Sequence, residues 1–188
     1  MTRLSEHPTV KCLREKAVAR APEAPTLNAS WLREVALPAG ADDVGFVAVD
    51  RPEIAAEHED IRSLLSEART LVSFVCRMNR ENVRSPSRSL ANLEFHYTGD
   101  QVNDVARRVV SALERRGVRA LNPPMGFPME MDRFPEKIWT VSHKPIAVAA
   151  GLGRMGIHRN VIHPRFGEFH LARHRADRGR GLVAERVP

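Results

Sequence analysis

Three things are scarce in this 188-residue chain: cysteine, aromatic residues and long apolar runs. Its two cysteines, Cys12 and Cys76, cannot supply the four thiolates of an iron-sulfur cluster or of an all-cysteine zinc site. No iron-sulfur cluster is therefore expected within the chain. The opening stretch MTRLSEHPTV lacks the apolar core of a secretory leader, which places the protein in the cytoplasm, where a structural disulfide is not expected either. No apolar run approaches the roughly 20 residues of a membrane span, so no membrane contact is expected. Aromatic residues make up 5%, with Tyr97 the only tyrosine, and that leaves little with which to stack unpaired bases.

What is present is the composition of a folded protein, 43% hydrophobic and 28% charged, in a length that suits one domain. The net charge is +6, from 29 basic and 23 acidic side chains, a sign that invites a nucleic-acid reading. Half of that excess lies in the last sixteen residues, where Arg173, Arg175, Arg178, Arg180 and Arg186 face only Asp177 and Glu185. With Gly179, Gly181 and no apolar periodicity, residues 173–188 read as a basic, disordered tail.

Residues 1–25 carry Pro8, Pro22 and Pro25 and read as an N-terminal arm with one short helix from about Lys11 to Arg20. Asn28 or Ser30 can cap a helix running to about Leu37, which Pro38 and Gly40 stop. Apolar Gly45 to Val49 predicts a strand, Pro52 to Ala68 a helix, and Leu71 to Met78 a second strand. Asn79 to Ser89 reads as a polar loop, in which Arg80, Arg84 and Arg88 either clamp phosphate or carboxylate groups or stay solvated. An amphipathic helix from about Asp100 to Arg116 ends at Gly117, and Val118 to Leu121 is a short strand. Asn122 to Pro135 is an irregular wall rich in Pro, Met and Gly. Pro145 to Ala150 is a helix or a strand, and Asn160 to His163 pairs with Glu168 to Leu171 as a hairpin. The alternation predicts an α/β (α+β) domain over residues 26–172, with three layers and a mixed central sheet flanked by helices.

Gly151-Leu152-Gly153-Arg154-Met155-Gly156 spells G-x-G-x-x-G, the pattern that brings backbone close to a pyrophosphate at a helix N-terminus. Against a dinucleotide, Pro164 cuts any following helix short, and no acidic residue stands on a strand about 20 positions further on. The other reading is a tight connection where glycine permits positive φ and close packing. Cys76, inside an apolar strand, reads as a small buried hydrophobe rather than a nucleophile. His158, His163, His170 and His174 match no compact zinc spacing, so no metal site is expected.

The wider string is more specific. Ala150-Gly151-Leu152-Gly153-Arg154-Met155-Gly156, followed after a spacer by Ile162-His163-Pro164-Arg165-Phe166-Gly167, resembles the cobalamin-binding segment of the epoxyqueuosine reductases and their relatives, the corrinoid reductive dehalogenases. Weaker echoes are the strand Leu71 to Val75 and Glu94-Phe95-His96, so the resemblance spans Leu27 to Phe169. It implies a nitroreductase-like domain that holds cobalamin and receives electrons from iron-sulfur clusters, here from an external ferredoxin-like donor. By position Gly151, Gly153 and Gly156 are the cofactor-binding residues, joined by His158 at a polar position of the motif. A valine at Gly153 is expected to block the cofactor's approach and leave the fold intact.

The resemblance also implies a proton-donating aspartate ahead of the glycine loop. Lys137 stands at that position here, so Asp132 is the nearest carboxylate candidate and Tyr97 a phenolic alternative. Epoxyqueuosine lies in tRNA, so tRNA or a small molecule is the implied substrate. After Phe169 the arginine-rich run replaces the apolar strand and cysteine-rich domain of the family, which suggests a truncated or frame-shifted end. Two other classes stay open: a flavin (FMN) nitroreductase-like protein, and a non-catalytic, degenerate binding domain.

Overall fold

Seven of the eight residues of strand β2 (Thr70–Arg77) are buried, and every other strand of the main sheet is arranged around it. The computed structural model describes residues 6–12, 27–123, 139–167, 170–173 and 176–177. Strand β1 (Asp43–Ala48) lies antiparallel to β2, with Asp43 opposite Val75 and Ala48 opposite Thr70. On the other side, β6 (His170–Arg173) pairs with the end of β2 and β7 (Ala176–Asp177) with its beginning. The short β3 (Ala120–Leu121) pairs with β7.

All of these pairings are antiparallel, so the expected mixed sheet is corrected to an antiparallel one and the fold is α+β. The connection between β1 and β2 holds a 3-10 helix (Pro52–Glu57) and a seven-residue helix α2 (His58–Leu64), and so lacks the single long helix that usually carries a parallel crossover.

Helices cover both faces of the sheet. Val72, Phe74 and Cys76 point to one side, packing with Val44 against Leu32 and Ala36 of α1 (Ala29–Ala36) and against Val102, Val105 and Val109 of α4 (Arg88–Glu114). Leu71 and Val75 point to the other, toward the 3-10 helix and α5 (His143–Ala149). The period of two along β2 thus sorts its side chains between two layers. Of the two candidate caps of α1, Asn28 serves: its side chain accepts from the Ser30 N–H at 2.7 Å. Burial pushes the Cys76 thiol up to about 12, as befits a packing residue.

Two further expectations change. The polar stretch after β2 is not a loop: it holds α3 (Arg80–Arg84) and the start of α4, which begins twelve residues before Asp100. Its first turns bury only Glu94, Thr98 and Gly99, so no apolar stripe announces them. The predicted hairpin is also rearranged. Strand β5 (Val161–Ile162) pairs with β4 (Arg154–Met155), while β6 joins β2. Arg173 and Ala176–Asp177, assigned to the disordered tail, are in strands of the main sheet. Most of the wall from Asn122 to Pro135 lies outside the described residues. Among the described residues no helix is long and apolar enough to cross a membrane.

Candidate functional site at the glycine hairpin

The first glycine of the cluster closes a helix and does not open one. The Gly151 N–H donates to Val148 O at 3.0 Å and the Leu152 N–H to Ala147 O at 3.0 Å, the paired bonds that cap an α-helix C-terminus. Gly151 takes φ +79°, the left-handed conformation that such a cap requires and that glycine adopts without strain. The negative end of the α5 dipole therefore meets the cluster, which is the wrong end for a pyrophosphate. Beyond it, β4 and β5 form a hairpin where a dinucleotide fold would place a helix.

The α5 terminus lies directly on the sheet because β1 has a glycine beneath it. A Cβ at Gly45 would meet the carbonyl of Ala150. Gly153 is equally enclosed: a Cβ there would strike the Ile162 carbonyl oxygen and Val161 Cγ1 across the hairpin. Gly156 faces the imidazole of the exposed His158, two residues on. Of the three glycines of the G-x-G-x-x-G cluster, Gly151 alone opens to empty space on its Cβ side. Lys144 Nζ ties the hairpin tip to α5, donating to Arg159 O at 2.8 Å and Asn160 Oδ1 at 3.0 Å. Met155, Ile157 and Ile162 are exposed apolar side chains of the hairpin, Met155 and Ile162 on opposite faces because Met155 pairs with Val161 and Ile162 with Arg154.

His163 anchors the turn that follows. Its ring is buried, its Nδ1 accepts from the N–H groups of Arg165 (3.1 Å) and Phe166 (3.3 Å), and Nε2 is left to donate to Asp43 Oδ2 at 3.0 Å. Phe166 stacks on that imidazole with centroids 4.5 Å apart. The histidine of I-H-P-R-F-G thus fastens the motif to β1.

Tyr97 lies on α4, 64% exposed, and lines neither the cleft at the end of β2 nor the one at the opposite end of β1 and β2. Asp132 lies outside the described residues. Of Arg80, Arg84 and Arg88, Arg80 alone lines the cleft at the end of β2, a space of about 460 Å³ shared with Arg77, Met78, Asn79, Arg165 and Phe166. The second cleft, of about 450 Å³, lies at the opposite end of β1 and β2, between Phe46 to Arg51 and Arg69. Glu94, passed over in the sequence except as part of a motif echo, is a buried carboxylate. It accepts from Asn79 N–H (2.7 Å), Asn79 Nδ2 (3.2 Å), Asn82 Nδ2 (2.7 Å) and Thr98 Oγ1 (3.3 Å). Burial pushes its carboxyl up, but these bonds outweigh burial and hold it below its ordinary value. Glutamate one helical turn before Thr98 is the only local signal of this clasp.

No protein-family profile matches the chain, and no curated protein does. Solved structures match it well. Epoxyqueuosine reductase from Bacillus subtilis superposes with a TM-score of 0.56 at 15% identity, over 79% of this chain and 44% of that one. An epoxyqueuosine reductase solved with an epoxyqueuosine-modified tRNA-Tyr stem loop gives 0.57 at 13% identity, again over 79% and 44%. A reductive dehalogenase whose structure suggests a mechanism for B12-dependent dehalogenation gives 0.60 at 16% identity, over 84% of this chain and 22% of that one. The chain spans less than half the length of each. At such identities the likeness is one of architecture: this chain has the fold that the epoxyqueuosine reductases and the corrinoid reductive dehalogenases share.

Proposed function

We propose that the chain is a cytoplasmic, corrinoid-binding reductase domain, a three-layer nitroreductase-like unit over residues 26–172. The observation that carries this reading is a coincidence of motif and fold. The A-G-L-G-x-x-G and I-H-P-R-F-G strings occur as one folded unit, in an architecture shared with a dehalogenase described as B12-dependent. A corrin is a broad, largely apolar macrocycle with amide side chains, and it needs open backbone beside apolar surface. This segment has open space at the Gly151 backbone and exposed apolar side chains at Met155, Ile157 and Ile162.

When bound, cobalamin supplies low-valent cobalt for reduction. Gly151 gives it backbone access, and Gly153 and Gly156 keep the hairpin tight behind that surface. His158 is exposed at the tip, placed for a polar contact to a corrin amide. Asp132 is the proposed proton donor and Tyr97 the alternative. The chain's two cysteines do not make a cluster site, so the electrons come from a ferredoxin-like donor outside it. The neighbour solved with a tRNA stem loop supports tRNA as the substrate class, with a small molecule as runner-up.

Anaerobic titration of the full chain with hydroxocobalamin, followed by reduction, tests the reading. A shifted corrin spectrum that remains with the protein through gel filtration is expected. Failure to retain cobalamin in either oxidation state overturns it, and a yellow chain on parallel titration with FMN replaces it by the flavin alternative.

A further inference from the structure

At the end of β2, three arginines line one cleft. Arg77, Arg80 and Arg165 border its volume of about 460 Å³ together with Met78, Asn79 and Phe166, and among the described residues none that lines it is acidic. The carboxylates that contact lining residues bind N–H groups and not guanidiniums. Asp42 Oδ2 accepts from the Arg77 N–H at 2.8 Å, and Glu94 accepts from Asn79 and Asn82. Among the described residues no carboxylate pairs with any of the three guanidiniums.

The arrangement is also held in place. The Phe166 ring has Arg165 Cζ at 4.9 Å and Arg77 Cζ at 6.0 Å from its centroid, and it is itself fixed by stacking on buried His163. Arg80 enters from α3, which the Glu94 clasp fastens to α4 through Asn79 and Asn82. Three like charges kept together repel one another, and an anion relieves that repulsion. Several forked donors together suit a tetrahedral oxyanion better than a planar carboxylate, which one guanidinium already satisfies. The cleft is larger than a bare phosphate and falls within the roughly 300–1,000 Å³ of small-molecule sites.

We propose that this cleft binds the terminal phosphate of a small phosphate monoester, with Arg77, Arg80 and Arg165 as the phosphate ligands and Met78 and Phe166 against the ester's body. The site does not depend on the corrinoid reading and is tested on the full chain without cofactor. Inorganic phosphate, 5′-AMP, adenosine and the phosphodiester ApA are titrated at low salt by calorimetry and by amide chemical shifts. Saturable binding of phosphate and of AMP is expected, with AMP tighter and adenosine silent. Arg80→Gln and Arg165→Gln should each weaken AMP by about tenfold, while Arg119→Gln, which removes a guanidinium paired with Glu67 at 3.0 Å, should leave it unchanged. Equal thermal midpoints would show that the variants remain folded. Three results overturn the proposal: no saturable binding of phosphate or AMP, AMP binding indifferent to both cleft variants, or ApA bound as tightly as AMP. The last would assign the cleft to an internal phosphodiester of a nucleic-acid strand.

Discussion

From Ala147 to Ile162 the chain keeps its shape through side chains that are missing, whereas the turn at residues 163–167 and the start of α4 keep theirs through side chains that are buried and polar. In the first region Gly45 admits the α5 terminus, Gly153 admits the facing strand, and Gly151 supplies the left-handed cap. In the second, His163 gathers two N–H groups and Asp43, and Glu94 gathers four donors. Steric constraints of the first kind act through volume and do not depend on pH. Polar constraints of the second kind are cooperative, and the one at Glu94 depends on the charge of its carboxylate. The two regions should therefore fail under different insults.

The largest effect is expected at Gly153. A Cβ there meets backbone, the Ile162 carbonyl, so a rotamer change cannot relieve the clash and the hairpin must open. This corrects the expectation that Gly153→Val leaves the fold intact. The variant should lose about 3 kcal/mol or more in urea denaturation, by the same amount at neutral and acidic pH. A variant with the wild-type midpoint would return Gly153 to the role of a cofactor passage.

Much of this framework is legible in the sequence, and the reasons for what is not are specific. Strand β2 shows as a continuous apolar run because both of its faces are covered, and α1 shows its cap in Asn28. The first three turns of α4 do not show, since what they bury is Glu94, Thr98 and Gly99. The first half of β6 shows as the strand expected up to Leu171, while its end and β7 are hidden among arginines because their pairing with β2 is a backbone matter. The glycine string is recognisable, but its spacing alone cannot tell whether the glycines face a ligand or the chain itself. For Gly153 the answer is the chain. Arg80 is readable as an anion clamp, yet its partners Arg77 and Arg165 come from other parts of the sequence and only the fold assembles them.

A middle-sized effect is expected at Glu94, and it separates the polar region from the glycine region by pH. Glu94→Gln replaces one acceptor oxygen by a donor in front of N–H groups that need acceptors, so it should cost about 2 kcal/mol near neutral pH. The folded carboxyl is held below its ordinary value near 4.5. The stabilisation is therefore fully present above that value and is lost as the pH falls through the lowered folded one. The gap between wild type and variant should narrow as urea midpoints are followed to pH values below about 4.5. A gap that stayed constant would mean that packing, and not the carboxylate, carries the clasp.

The smallest effect belongs to Gly151, and it separates the two ways in which a glycine can be required. Nothing lies within 4 Å of a Cβ built there, so Gly151→Ala meets no clash and should cost only the left-handed strain at φ +79°, about 1 kcal/mol. Gly151→Asn should cost less, because asparagine tolerates that conformation. The thermal midpoints should then rank wild type, Asn, Ala, with Gly153→Val far below them. The same open space is the access proposed for the corrin, so Gly151→Ala should weaken cobalamin retention more than its small loss of stability explains. Cobalamin retained in full by the alanine variant would mean that the cofactor does not approach the hairpin at Gly151.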